Sequence, residues 1–207
     1  IAYYATLTYG AVTVPFLPDF KSQAVVELSL FSDCKMMIAD DYAIKDLKGD
    51  AANISTLDND KNFIGILNLK ALSVAHASKE VLETVCAAIE DSYKSLYPNG
   101  ITADSIDYYP EERDMEEVVE ISFTSGTTSA MSKGVVLPAR SLSANLEFGL
   151  REVPACVGGH IFAILPMAHM FGQAFDVLFP LSSGCHVFVM PGKPTPTRLL
   201  AGLGTVR

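Results

Sequence analysis

Residues 118–137 constrain this chain more than any other stretch. Two apolar runs, Val118-Val119-Glu120-Ile121-Ser122-Phe123 and Val135-Val136-Leu137, have the β-branched and aromatic make-up of buried strands. Between them lie small, hydroxyl-rich residues, Thr124-Ser125-Gly126-Thr127-Thr128-Ser129-Ala130-Met131-Ser132, and then Lys133-Gly134. Such a connection suits a polyphosphate. Small side chains let backbone N–H groups approach the anion, the Ser and Thr hydroxyls donate, and Lys133 supplies a compact positive charge. Each hydrogen bond to a charged oxygen contributes roughly 1.5–3 kcal/mol, so a handful can hold a triphosphate. Composition alone accounts equally well for a polar hairpin turn between two core strands.

A Walker-type loop is excluded by the spacing, because G-x-x-x-x-G-K-[ST] must open a helix. Here Gly126 and Lys133 are seven positions apart, Lys133 precedes a glycine, and β-branched residues follow. The stretch instead resembles the phosphate-binding signature of the adenylate-forming enzymes: acyl-CoA synthetases, peptide-synthetase adenylation domains and luciferases. Their pattern runs Tyr/Phe-Thr-Ser-Gly-Thr-Thr-Gly-x-Pro-Lys-Gly-Val. Phe123 through Thr128 match it without a break, and Lys133-Gly134-Val135 match its end. Ser129 stands at the usual Gly, Ser132 at the usual Pro, and one extra residue separates Thr128 from Lys133.

A second stretch, Ile164-Leu165-Pro166-Met167-Ala168-His169-Met170-Phe171-Gly172, points the same way. A strand is expected to end at Pro166, with His169 opening the next helix, and open α/β sheets place ligands at the carboxyl ends of their strands. A lone histidine on an apolar face otherwise serves as a core residue. The segment resembles the Leu-Pro-Leu-x-His-x-Phe/Tyr stretch of acyl-CoA synthetases, whose histidine lies near the acyl pocket and responds to adenylate formation. Met167, Met170, Phe171 and Phe175 would suit an apolar acyl group there, or serve equally as core packing. His76, His160 and His186 have no comparable context. Asp176, on an apolar helix face, is expected to be capped or paired rather than catalytic.

The resemblance implies carboxylate activation in two steps. The substrate carboxylate attacks the α-phosphorus of ATP, releasing pyrophosphate, and a thiol, commonly coenzyme A, then displaces AMP. It assigns Ser125, Gly126, Thr127 and Thr128 to the β- and γ-phosphates, Thr124 to shaping the loop, Lys133 to closing over the phosphates, and His169 to the border of the acyl site. ATP, Mg2+ and coenzyme A are the implied cofactors, and a carboxylic acid, fatty acyl by the His169 neighbourhood, the implied substrate. The family's Tyr-Gly-x-Thr-Glu segment, its ribose-binding Asp and its C-terminal domain with a catalytic Lys have no counterpart in these 207 residues. The chain is therefore expected to be an internal piece of the large N-terminal domain, unable to complete adenylation alone. Two alternatives stay open: an amino-acid or aryl-acid adenylation domain, and a non-catalytic module that binds a phosphorylated ligand. Ser129 and the shifted Lys133 favour the latter.

A net charge of −9 and a pI near 4.8 argue against a nucleic-acid or anionic-membrane surface, yet leave room for a locally positive loop. Between Val153 and Gly192 the only carboxylate is Asp176, and Lys and Arg are absent. Pro154, Gly158, Gly159, Pro166, Gly172, Pro180 and Gly184 break that stretch, so it is core and not a membrane span of about 20 apolar residues. Cys34, Cys86, Cys156 and Cys185 are scattered without a C-x-x-C, so neither zinc nor a disulfide framework is indicated. Reduced, buried cysteines and a cytoplasmic setting are expected.

Alternating helices and strands predict an α/β fold with a mostly parallel, doubly wound sheet covered by helices on both faces. Helices are expected over 1–9, 21–32 (Val25, Leu28, Leu30 and Phe31 inward), 79–97, 139–150 and 168–181. Strands are expected at 11–15, 35–39, 64–67, 160–165 and 186–190, with 40–70 otherwise irregular. In the 79–97 helix, Leu82, Val85, Cys86, Ile89, Tyr93 and Leu96 share one face. Residues 104–120 hold eight carboxylates against Arg113 alone, with no spacing that converges them, and are expected to be solvated. The organisation that follows is a first α/β subdomain over 1–117, with an acidic connector at 104–117, and a second portion over 118–207.

Overall fold

A computed structural model describes residues 1–102, 114–124, 132–190, 192 and 194–206. Ser125, Gly126, Thr127 and Thr128, and most of the acidic connector, lie outside the described residues. The chain is α/β and divides into two compact units, Ile1–Gly10 with Asp19–Arg113, and Ala11–Pro18 with Asp114–Arg207.

In the first unit, α1 (Ala2–Tyr9) ends at Gly10, whose amide caps the carbonyls of Thr6 and Leu7. Then come α2 (Ser22–Phe31), β1 (Met36–Ala39), α3 (Asp41–Gly49), α4 (Ala51–Asn59), β2 (Gly65–Asn68), β3 (Val74–Ala77) and α5 (Glu80–Leu96). The strands lie in the order β1-β2-β3. β1 pairs parallel to β2 from Met36 opposite Gly65 to Ala39 opposite Asn68, and β3 runs antiparallel to β2. Val26, Met37, Leu47, Leu57, Phe63 and Ile66 form one buried cluster.

Two expectations for this unit are corrected. Residues 40–59 are helical, not irregular: the Asp40 carboxylate accepts from Ala43 N at 2.8 Å and that of Asp50 from Ala52 N at 2.9 Å. Each aspartate thus satisfies an orphan amide at a helix start. Nine residues apiece, these helices are too short for periodicity to announce them. In α2 the fully buried positions are Val26 and Ser29, Val25 and Leu30 pack partly buried against the same cluster as expected, and Phe31 instead faces solvent. In α5 the shared apolar face exists, but only Leu82 is buried. Val85 is 56 %, Ile89 64 % and Leu96 72 % exposed, since the helix meets the sheet through its first turns at β3.

The second unit contains β4 (Val118–Phe123), β5 (Gly134–Pro138), α6 (Ala139–Glu152), β6 (His160–Ala163), a π-helix (Gly172–Leu178), α7 (Phe179–Ser182), β7 (His186–Val189) and α8 (Pro196–Thr205). β4 and β5 pair antiparallel, and β6 and β7 pair parallel with His160 opposite His186. Residues 11–15 form no strand of their own. Thr13 alone bridges β4, donating its amide to Val119 O and accepting from Ile121 N, both at 2.9 Å. Pro15, without an N–H, cannot extend that ladder.

The solvated reading of the acids fails at its last member. Glu120 is on β4 and fully buried, whereas Glu116 is at the surface in an ion pair with Arg140 at 2.7 Å. Nor are the four free cysteines uniformly buried: Cys185 is, Cys34 and Cys86 are half-buried, and Cys156 is exposed. Among the described residues no helix is long and apolar enough to cross a membrane.

Candidate functional site

The hydroxyl-rich loop is the connection of an antiparallel hairpin. Along β4 and β5 the pairing runs from Val118 opposite Pro138 to Phe123 opposite Gly134. One step past the ladder, Thr124 N donates to Lys133 O at 3.0 Å, which closes the base of the loop. That bond brings Thr124 and Lys133, the described residues among those assigned to the phosphates and the loop, to its mouth, and both are exposed. A side chain at Gly134 would press on the Phe123 ring, its Cβ 3.0 Å from Cε1, so a small residue after Lys133 lets the hairpin close at that point. Phe123 in turn stacks on Phe16 at a centroid distance of 6.0 Å.

His169 belongs to a second arrangement in the same unit. β6 stops at Ala163, three residues before the expected Pro166, because the amides of Ile164 and Leu165 turn away from the sheet. Both donate to Asp176 Oδ2, each at 2.8 Å. A turn follows in which His169 N donates to Pro166 O at 2.9 Å. The expected helix then begins, but from Gly172 to Leu178 it is π-helical. Its start holds His169 in place: Gln173 N donates to His169 O at 2.9 Å, and Phe171 N donates to His169 Nδ1 at 3.3 Å. With Nδ1 an acceptor, the neutral ring carries its proton on Nε2. The imidazole is exposed, so that N–H is available to a ligand oxygen.

Beside His169, Met167 and Phe171 are exposed, and Phe171 packs on Phe175 at 4.8 Å between ring centroids. Phe175 continues edge-to-face onto Phe148 of α6 at 6.4 Å. The result is an apolar aromatic row next to an N–H donor. Phe148 had no sequence signal as a site residue, because only the packing of α6 on the π-helix brings it there. Gln173 was equally silent: it is buried, and its Oε1 has no hydrogen-bond partner among the described residues. No hydrogen bond or ion pair among the described residues joins His169 to Lys133, and the two stretches stand as separate arrangements within the second unit. Nor do three His, Cys, Asp or Glu side chains gather as a metal site among the described residues.

The model of the AMP-binding enzyme family matches residues 1–206. The chain belongs to that family. Its structure is similar to that of ATP-bound MatB from Rhodopseudomonas palustris (TM-score 0.66, 17% identity, 99% of this chain and 35% of that one). It is also similar to a Mycobacterium tuberculosis fatty acyl CoA synthetase (TM-score 0.63, 16% identity, 97% of this chain and 33% of that one). In sequence, 81 residues are 37% identical to a 4-coumarate–CoA ligase-like protein of Arabidopsis thaliana, covering 36% of this chain and 14% of the relative. The chain therefore spans about a third of the length of those structures and a smaller part of that relative. At such identities the structural likeness establishes the fold, that of the N-terminal domain of adenylate-forming enzymes. Ligases of both acyl and aryl acids are among the proteins it resembles.

Proposed function

We propose that the protein carrying this chain is an ATP-dependent acid–thiol ligase that activates a fatty acyl carboxylate and transfers it to coenzyme A. The observation that carries this reading is the Thr124–Lys133 clamp, which closes a loop of phosphate-binding composition and sets a lysine at its mouth. A triphosphate fits there: the described residues supply an exposed hydroxyl and an exposed ammonium, and Ser125, Gly126, Thr127 and Thr128 add amides and hydroxyls by sequence. Magnesium would neutralise phosphate charge when bound, but no described cluster holds it, so its ligands are sought outside this set.

A carboxylate oxygen of the substrate bonds to the α-phosphorus while the bond to pyrophosphate breaks. Lys133 meets the charge that builds on the leaving oxygens, with Thr124 at its side, an electrostatic contribution of the oxyanion-hole kind. In the second step a thiol gives up its proton to solvent, its sulfur bonds to the acyl carbon, and the bond from that carbon to the AMP phosphate oxygen breaks so that AMP departs. His169, through Nε2–H, orients an oxygen of the acyl group, and the Phe171–Phe175–Phe148 row takes the apolar chain. The four free cysteines support a reducing, cytoplasmic setting.

An aryl acid is the second reading, favoured by the 81-residue match to a 4-coumarate–CoA ligase-like protein and by the aromatic row. Carboxylate-dependent ATP–pyrophosphate exchange, measured on the full-length protein with fatty, aryl and amino acids, separates the two. Exchange with fatty acids is expected. Exchange with aryl acids alone would move the assignment to the second reading, and none with any acid would leave a phosphate-binding module.

A further inference from the structure

We propose that Asp176 is the positioning residue of the His169 segment, holding the end of β6 so that the imidazole keeps a single orientation toward the acyl group. This rests on the reading of His169 as the border of the acyl site. Asp176 is the only carboxylate between Val153 and Gly192, and a charge on a helix whose other residues are uncharged needs a reason. The structure supplies one. A single oxygen, Oδ2, accepts from two consecutive amides, Ile164 N and Leu165 N, at 2.8 Å each. Those are the first two residues beyond the β6 ladder, and without the carboxylate neither has another hydrogen-bond acceptor in the described structure.

Gly172, four positions earlier on the same helix, faces the same strand end. A Cβ there would stand 2.7 Å from Pro166 O and 2.8 Å from Leu165 Cβ, so the π-helix backbone lies directly on the turn. The segment is thus fixed at both ends. Asp176 and Gly172 hold residues 164–166, and the bonds from Phe171 N and Gln173 N hold His169. Asp176 does not touch the reacting atoms in this arrangement. It acts through His169.

The test is a double-mutant cycle in the full-length enzyme, read by carboxylate-dependent exchange and by amide hydrogen exchange. Asp176→Ala is expected to lower kcat/KM for the acid about tenfold while KM for ATP stays within about twofold. Asp176→Asn, which keeps an acceptor oxygen, is expected to lose about threefold. On a His169→Ala background, Asp176→Ala should cost less than about twofold more, because a residue acting through an absent partner has nothing left to orient. Losses that multiply on that background would overturn the proposal, as would an equal fall in ATP affinity. If Asp176→Ala does not fold, Asp176→Asn carries the same cycle. The amides of Ile164 and Leu165 provide a readout independent of activity: they should exchange slowly in the wild type and rapidly in the variant. Unchanged protection would overturn the proposal even if activity fell. Should the full-length protein activate no acid, the ligase reading fails, while those two amides still decide whether Asp176 holds the strand end.

Discussion

The two units spend their apolar residues differently. The first gathers Val26, Met37, Leu47, Leu57, Phe63 and Ile66 into one enclosed cluster, with Phe63, Leu57 and Ile66 fully shielded. The second leaves Met167 and Phe171 exposed beside His169, and keeps Thr124 and Lys133 open at the mouth of a hairpin. Burial of a large side chain stabilises by about 1.5–3 kcal/mol, so exposed apolar groups at strand ends forgo stability that the same residues would contribute in a core. Both units hold buried apolar side chains, Phe123, Leu137, Val177 and Phe179 among those of the second, but the candidate site residues Thr124, Lys133 and His169 all lie in the second. Substitutions in the first unit's buried cluster should register as stability, and those at the three exposed site residues as rate.

The comparison can be broken most directly at Phe63. Phe63→Ala should lower unfolding free energy by about 3–5 kcal/mol, seen as a fall in the urea midpoint, with the turnover of the protein that remains folded unchanged. Altered turnover per folded molecule would mean that the first unit also bears on the chemistry.

Lys133→Ala is the counterpart in the second unit. Because Lys133 is exposed, Tm should hold, while kcat for adenylation falls about 100- to 1000-fold, as for loss of one charge-stabilising donor. An effect confined to KM for ATP would show that the lysine binds ground state and transition state alike, against the proposed role.

The smallest expected effect sharpens the contrast through cysteine chemistry. Burial pushes the Cys34 thiol up to about 11, and the neighbouring Asp33 carboxylate adds to the rise. At about pH 8 that thiol stays protonated and unreactive. Cys156 in the second unit is exposed. Mass-spectrometric mapping after brief iodoacetamide treatment should find Cys156 labelled well ahead of Cys34. Equal labelling would show that the first unit opens more readily than its core implies.

Legibility followed the range of the interactions involved. The hairpin strands at 118–123 and 134–138 were readable because strand composition is a local property. The helices at 41–49 and 51–59 were not, since each rests on an aspartate cap and a few buried contacts in place of a periodic face. β3, Val74-Ala75-His76-Ala77, lacks strand composition. Pairing with β2 and the contact of His76 Nε2 with Asp58 Oδ1 at 2.7 Å hold it. The apolar face of α5 was readable, but not that most of it is exposed, because periodicity reports which residues align and not whether anything covers them.

By itself, then, the sequence determined the α/β class, the family and the identity of the groups at the hydroxyl-rich loop and beside His169. Each of those follows from residue types within a dozen positions of one another. Tertiary structure alone decided that Asp176 reaches back twelve residues to Ile164, that Phe148 joins Phe171 and Phe175, and that Glu120 is buried while Glu116 is at the surface. Those outcomes depend on where the backbone carries a side chain after folding, and a carboxylate written in the sequence is the same carboxylate whether it meets water or two strand-end amides.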